Sequence, residues 1–230
     1  MALSLERRAA RQRHIVEAAQ ALIRERGDAG FAMTELAARA GVSQATPYNL
    51  VGSKADLLRL VVGDEFESFS RRMDSVSHAS PLGALLDATA LVVTHYEADR
   101  QYYRGLYRSV FSLDATEMRD LMASQGQTLW RGFVQAAVDA GEIEAFVAVL
   151  PLTHVLLRAI SATAQAWLAE GWNEERFRLE MAQTARLVLA SVVDAPLRAG
   201  LVSELAVAQA ALQEMIEGEA PPAFDRSSGL

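Results

Sequence analysis

His14, His78, His95 and His154 are the side chains of this 230-residue sequence best suited to proton transfer or metal ligation near neutral pH. They are scattered, and none falls in a His-Glu-x-x-His or other close ligand spacing. No Gly-x-Ser-x-Gly elbow or phosphate-cradling glycine loop is present, and there is no cysteine to act as a nucleophile. The lack of cysteine also removes disulfides and thiolate metal sites, and fits a reducing cytoplasm. Each histidine reads as a surface or hydrogen-bonded core residue. No catalytic residue, metal or cofactor is expected, and the chain is not read as an enzyme.

Non-covalent chemistry is better supplied. Tyr96, Tyr102, Tyr103, Tyr107, Phe111, Trp130 and Phe133 concentrate aromatic rings in one third of the chain, with Arg104 and Arg108 nearby. Such a set can line a pocket for an aromatic or amphipathic small molecule, although aromatics at helical spacing also build plain core. The expected lining is His95, Tyr103, Tyr107, Phe111, Trp130 and Phe133, with Leu156 and Trp167 added by their place in the helical order.

The elements that must position these groups are helical. No strand-length alternating run with hairpin signals occurs, and no repeat, so the expected fold class is all-α. The stretch from Thr34 to Leu58 reads as two short helices and the start of a third. Leu36, Ala37 and Ala40 give the first an apolar face. Gly41 supplies the left-handed residue of a tight turn, and Ser43 is placed to N-cap the next helix. Gly52 ends that helix, and Ser53 with Asp56 forms a capping box for the third. Two helices joined by a short glycine turn make a helix-turn-helix, whose second helix can enter the DNA major groove.

The same residues resemble the DNA-binding signature of the tetracycline-repressor (TetR) family of bacterial transcriptional regulators. They are Thr34, Leu36-Ala37, Ala40-Gly41-Val42-Ser43, Thr46, Tyr48 and Ser53-Lys54-Ala55-Asp56-Leu57-Leu58, and the resemblance runs from about Arg8 to Val62. It implies that Thr34, Tyr48 and Lys54 hold phosphates. Ser43, Gln44, Ala45, Thr46 and Asn49 then lie at or face the bases, where a glutamine pairs with an adenine edge and small side chains meet a thymine methyl. Pro47, Leu50 and Val51 depart from the family pattern. Pro47 is expected to shorten or distort the recognition helix without breaking it, because it falls in the first turn.

Overall net charge is −7, but its distribution is uneven. Residues 1–54 carry eight basic and five acidic side chains (+3), and residues 55–230 carry fourteen and twenty-four (−10). A basic head on an acidic body suits a DNA reader, since phosphate contacts supply much of the affinity. Arg7, Arg8, Arg11 and Arg13 are either phosphate or minor-groove contacts or a solvated terminus. With 51% hydrophobic and 22% charged residues the composition is globular. No signal peptide or membrane span is expected.

Past the head, a helix is expected over 54–73, with Leu58, Val62, Phe66, Phe69 and Met73 along one side. Others follow at about 82–98, 101–111, 115–140, 151–170, 174–193 and 201–216, with a capping box at Asp114 to Glu117. Leu152, Val155, Leu156, Ala159, Ile160, Thr163 and Trp167 form one apolar stripe, and Phe177, Met181, Ala185, Val188 and Val192 another. Leu152, Val155, Ala159 and Thr163 of the first, and all of the second, are the candidate interface residues. Each stripe faces either its own core or a symmetry mate. The resemblance favours the second, a four-helix homodimer interface.

The expected division is a head at 1–54, a ligand-binding and dimerisation body at 55–217 with a linking helix at 55–76, and a disordered tail at 218–230. The expected function is a cytoplasmic, dimeric, ligand-responsive regulator that binds a palindromic double-stranded DNA operator and is released by a small-molecule effector. The alternative is a helical interaction module whose helix-turn-helix no longer reads DNA.

Overall fold

The chain is described by a computed structural model covering residues 2–111 and 116–218, with side chains from Glu6 onward. The expected capping box at Asp114-Ala115 and the expected tail beyond Gly218 lie outside those residues. Among the described residues the chain forms ten α-helices and no strand, with one isolated antiparallel bridge between Ile143 and Val193. The all-α expectation holds.

Helix α1 (Ala2–Arg26) buries Ile15, Ala18, Ala19, Leu22 and Ile23, the three- and four-residue spacing of one helical face. Gly27 ends it at φ +73°. α2 (Met33–Arg39) and α3 (Ala45–Val51) follow, and then α4 (Lys54–Asp74). At 21 residues α4 spans about 30 Å. It packs against α1, α3, α5 (Pro81–Glu97) and α7 (Thr116–Asp139). Its buried side is Leu57, Val61, Val62, Phe69 and Met73, whereas Leu58 and Phe66 are half-buried. The expected stripe was rotated by part of a turn.

Local chemistry explains the helix starts. The Ser53 hydroxyl accepts from Asp56 N–H while the Asp56 carboxylate accepts from Ser53 N–H, so two otherwise orphaned donors are satisfied reciprocally. Ser80 accepts from Gly83 N–H ahead of Pro81 at the first position of α5. Asp99 caps α6 (Arg100–Val110), and Asn173 caps α9 (Glu174–Ala190). α8 (Val149–Glu170) ends at Gly171, φ +71°.

One hydrophobic cluster runs from Ile15 in α1 to Leu201 in α10 (Ala195–Gly218). α9 lies against α5, α8 and α10. α10 begins six residues earlier than the expected 201, with Pro196 in its first turn. Its Leu205, Ala208 and Leu212 are buried, the last two packing against Leu179 of α9. Its apolar stripe is therefore used within its own chain.

Candidate nucleic-acid interface and body cavity

The head is built by short-range rules. α2 ends at Ala40, and Gly41 takes the left-handed conformation at φ +63°, where an L side chain is strained. Val42 N–H then returns to the Ala37 carbonyl at 3.0 Å, closing the turn. In α3, Pro47 and Val51 point inward and are buried, while Ala45, Tyr48 and Asn49 form the opposite, exposed face. Pro47 is the third helical residue. The missing N–H is one of the orphan donors of any helix start, so no helical hydrogen bond is lost. The helix is seven residues long and unbroken.

The structure brings the expected DNA-facing residues together on this exposed edge. Thr34, Ser43, Gln44, Ala45, Tyr48 and Asn49 are all exposed, Tyr48 at 55%. Two details differ from expectation. Gln44, not Ser43, is the residue at the N-cap of α3, and its side chain makes no capping bond. The Ser43 hydroxyl instead meets the Thr46 hydroxyl at 2.8 Å, so Thr46, half-buried, shares its polar atom with its neighbour.

Lys54 is also more engaged than expected. Its ammonium donates to the Phe31 carbonyl at 2.6 Å and lies 4.8 Å from the Phe31 ring centroid. Partial burial, and then Arg26, lower its pKa, while Asp28 and Glu35 oppose the shift. With three donors on an ammonium and one spent on Phe31, the group can still meet a phosphate. The outer face of the head is held by ion pairs of Arg26 with Glu35 and Arg39 with Glu25. The His14 ring contacts the Ala40 carbonyl at the end of α2, at 3.1 Å.

In the body, a cavity of about 480 Å³ opens among α4, α5, α6, α7 and α8. A smaller recess of about 60 Å³ shares its inner wall, including Phe66, Tyr96, Tyr107 and Trp130. Gly126 of α7 lets α8 close on it, since a Cβ there would lie 3.1 Å from a Leu157 methyl.

Residues 15–61 match the sequence model described as "Bacterial regulatory proteins, tetR family". The head therefore carries the DNA-binding signature of the TetR family. The chain is 25% identical over 165 residues to the "Probable HTH-type transcriptional regulator YttP" of Bacillus subtilis (strain 168), covering 70% of this chain and 79% of that one. The fold resembles TylP, a TetR regulator from Streptomyces fradiae, at TM-score 0.67 and 20% identity, over 95% of this chain and 96% of the other. It also resembles RolR in complex with resorcinol, at TM-score 0.63 and 19% identity, over 86% and 95%. Identities at that level show the fold alone.

Of the residues expected to line a pocket, the structure places Tyr107, Phe111 and Trp130 on the main cavity. His95 and Tyr103 reach only the inner recess. Phe133 packs edge-on to Trp130 with centroids 6.0 Å apart and lines neither space. Leu156 is core, and Trp167 stacks on Phe177 at 4.7 Å while its Nε1–H donates to Glu97 at 2.8 Å. The expectation missed Phe66, Arg119, Gln127, His154, Arg158 and Gln165. A signal for some of these was available. Arg119, Met122, Gly126 and Trp130 recur at helical spacing on α7, one face read backward from Trp130.

Behind the recess lies a buried polar network. The Arg72 guanidinium meets His95 Nδ1 at 3.0 Å, so the ring carries its proton on Nε2. That nitrogen faces the Tyr103 hydroxyl at 2.6 Å and the Glu65 carboxylate at 3.4 Å. The Tyr103 hydroxyl donates to Glu65, and Gln20 of α1 donates to the same carboxylate at 3.3 Å. Burial alone raises the Glu65 carboxyl, but the hydrogen bonds from His95 and Tyr103 outweigh it and hold it below its ordinary value. A depressed carboxyl adds stability above its unfolded pKa and loses it as pH falls through the folded value. Glu65→Gln is therefore expected to lower stability at pH 7, with the gap from wild type closing below the usual carboxylate range of about pH 4. Urea unfolding from pH 7 to 3 checks this; a gap independent of pH would contradict it.

The stripes on α8 and α9 divide. Leu152, Thr163, Phe177, Met181 and Ala185 are buried within this subunit, because α9 is enclosed by α5, α8 and α10. Those five side chains cannot form an outer interface. Val155 is 50% exposed, and Ala159, Val188 and Val192 are half-buried. Leu187, exposed at 50%, joins the accessible set and was not foreseen. Among the described residues no group of three or more histidine, cysteine or acidic side chains could hold a metal ion. None of their helices is long and apolar enough to cross a membrane.

Proposed function

We propose that this TetR-family transcriptional regulator acts in the cytoplasm as a homodimeric repressor, with residues 1–54 as the DNA-binding head and 55–217 as the effector-binding and dimerisation body. The observation that carries the reading is the polar face of α3. Gln44, Tyr48 and Asn49 stand clear of the head, while Pro47 and Val51 anchor the opposite side in its core. Two such heads match half-sites one helical turn apart, about 34–36 Å, in a palindromic operator. Val155, Ala159, Val188 and Val192, with Leu187, make the contact between copies. An effector occupies the body cavity and favours a head spacing that no longer fits the operator; RolR, which shares the fold, forms a complex with the ligand resorcinol.

Two substitutions separate positioning from reading. Lys54→Ala is expected to weaken binding to all duplexes and reduce the salt slope by about one. Gln44→Ala is expected to leave the slope unchanged and lose about 1–3 kcal/mol of discrimination at one base position. Binding isotherms on operator and point-mutated operators between 50 and 200 mM salt measure both, with thermal melts confirming that each variant folds. If Gln44→Ala discriminates every base as wild type does, α3 is not the reading element.

A further inference from the structure

The body cavity has two chemically distinct ends. At the inner end the Tyr96 and Tyr107 hydroxyls lie 2.5 Å apart. The pair holds two protons, and only one is used between them, so one O–H donor remains to be satisfied at the cavity wall. Burial pushes Tyr96 well above its ordinary value and Tyr107 up to about 12, so both are neutral donors at physiological pH. At the outer end stand Arg119 and Arg158. Arg119 donates to the Thr116 hydroxyl at 3.1 Å, and Arg158 is exposed. Neither has a carboxylate partner among the described residues. Asp120 also lines this end, which leaves it one net positive charge. The rest of the wall combines apolar and aromatic Phe66, Val92, Trp130, Leu157 and Ile160 with polar Gln127, His154, Ser161 and Gln165.

We infer that the effector is an aromatic molecule with a hydroxyl or carbonyl oxygen at one end and a carboxylate at the other. The oxygen accepts the spare tyrosine proton, the rings lie against Trp130, and the carboxylate meets Arg119 and Arg158. This rests on the regulator reading above for its biological role, but the binding claim has its own test. A carboxylate without an inner oxygen leaves the buried donor unpaired, and a neutral phenol leaves the arginines unused.

The test is calorimetric titration of the full chain with 6-hydroxy-2-naphthoate and the longer 4′-hydroxybiphenyl-4-carboxylate. Each is compared with its parent lacking the hydroxyl and its parent lacking the carboxylate. On at least one scaffold the bifunctional compound is expected to bind about fivefold tighter than the acid alone and about tenfold tighter than the phenol alone. Tyr96→Phe/Tyr107→Phe removes both partners of the hydroxyl pair together, leaving no orphan behind. It is expected to erase the first margin and keep the second, whereas Arg158→Gln shrinks the second and keeps the first. The ligand class is overturned if no compound binds, if the bifunctional compounds show no advantage, or if both variants reduce both margins equally. Operator binding by the ligand-free protein is measured in parallel. Intact operator binding without these margins overturns the ligand class alone. The margins without operator binding uphold the class and overturn the regulator reading.

Discussion

Trp167→Ala is expected to remove about 3–5 kcal/mol of unfolding free energy, the range for truncating a buried tryptophan. Trp167 is 1% exposed and stacks face to face on Phe177, with an interplanar angle of 12°. Its indole N–H donates to Glu97, and the Arg100 guanidinium lies 5.1 Å from the ring centroid. Truncation would open a cavity where α5, α8 and α9 meet and leave the Glu97 carboxylate with Arg100 as its remaining partner. Against a typical total of about 5–15 kcal/mol, the loss is a large share of the stability. Guanidinium unfolding measures it. A change below about 1 kcal/mol would mean that Trp167 is not the keystone of this junction.

The second large effect is expected at Gly105. This glycine of α6 faces α1 so closely that an added Cβ would sit 2.8 Å from the Ile23 carbonyl oxygen and 3.0 Å from the Gly27 carbonyl carbon. Both are main-chain atoms, which cannot rotate aside, so α1 and α6 must separate. Overpacking of this kind costs about 1–3 kcal/mol. Because α1 also supports α2 and α3, Gly105→Ala is expected to reduce operator affinity as well as stability. Parallel melts and binding isotherms check both; unchanged values in both would show that the contact between α1 and α6 is slack.

The head was legible in the sequence because its determinants are local. Gly41, Gly52 and the Ser53–Asp56 box fix turns and caps through neighbours within a few residues, and the structure has each where the sequence places it. Pro47 was legible for the same reason, as a first-turn proline with no hydrogen bond to lose. The body was legible only as a set of helices. Periodicity marks an apolar face without saying what covers it. By periodicity Phe177 and Met181 suit a partner or their own core, and the resemblance favours the partner; with α5, α8 and α10 around α9 they are core. The cavity depended likewise on which face of α7 meets α8. Tyr107 and Trp130 were foreseen from aromatic density, but Arg119 and Arg158 carry no such mark. Leu156 and Trp167 were assigned by order along the chain, and order does not determine direction.

The regulator reading is tested most directly by selecting from a library of random duplexes with the purified full-length chain at near-physiological salt. The expected result is enrichment of one palindrome with half-sites about one helical turn apart, bound with a steep inverse dependence on salt. No enriched sequence, with retention governed by salt alone, would contradict it. The exposed face of α3 would then be a surface that touches DNA without reading it.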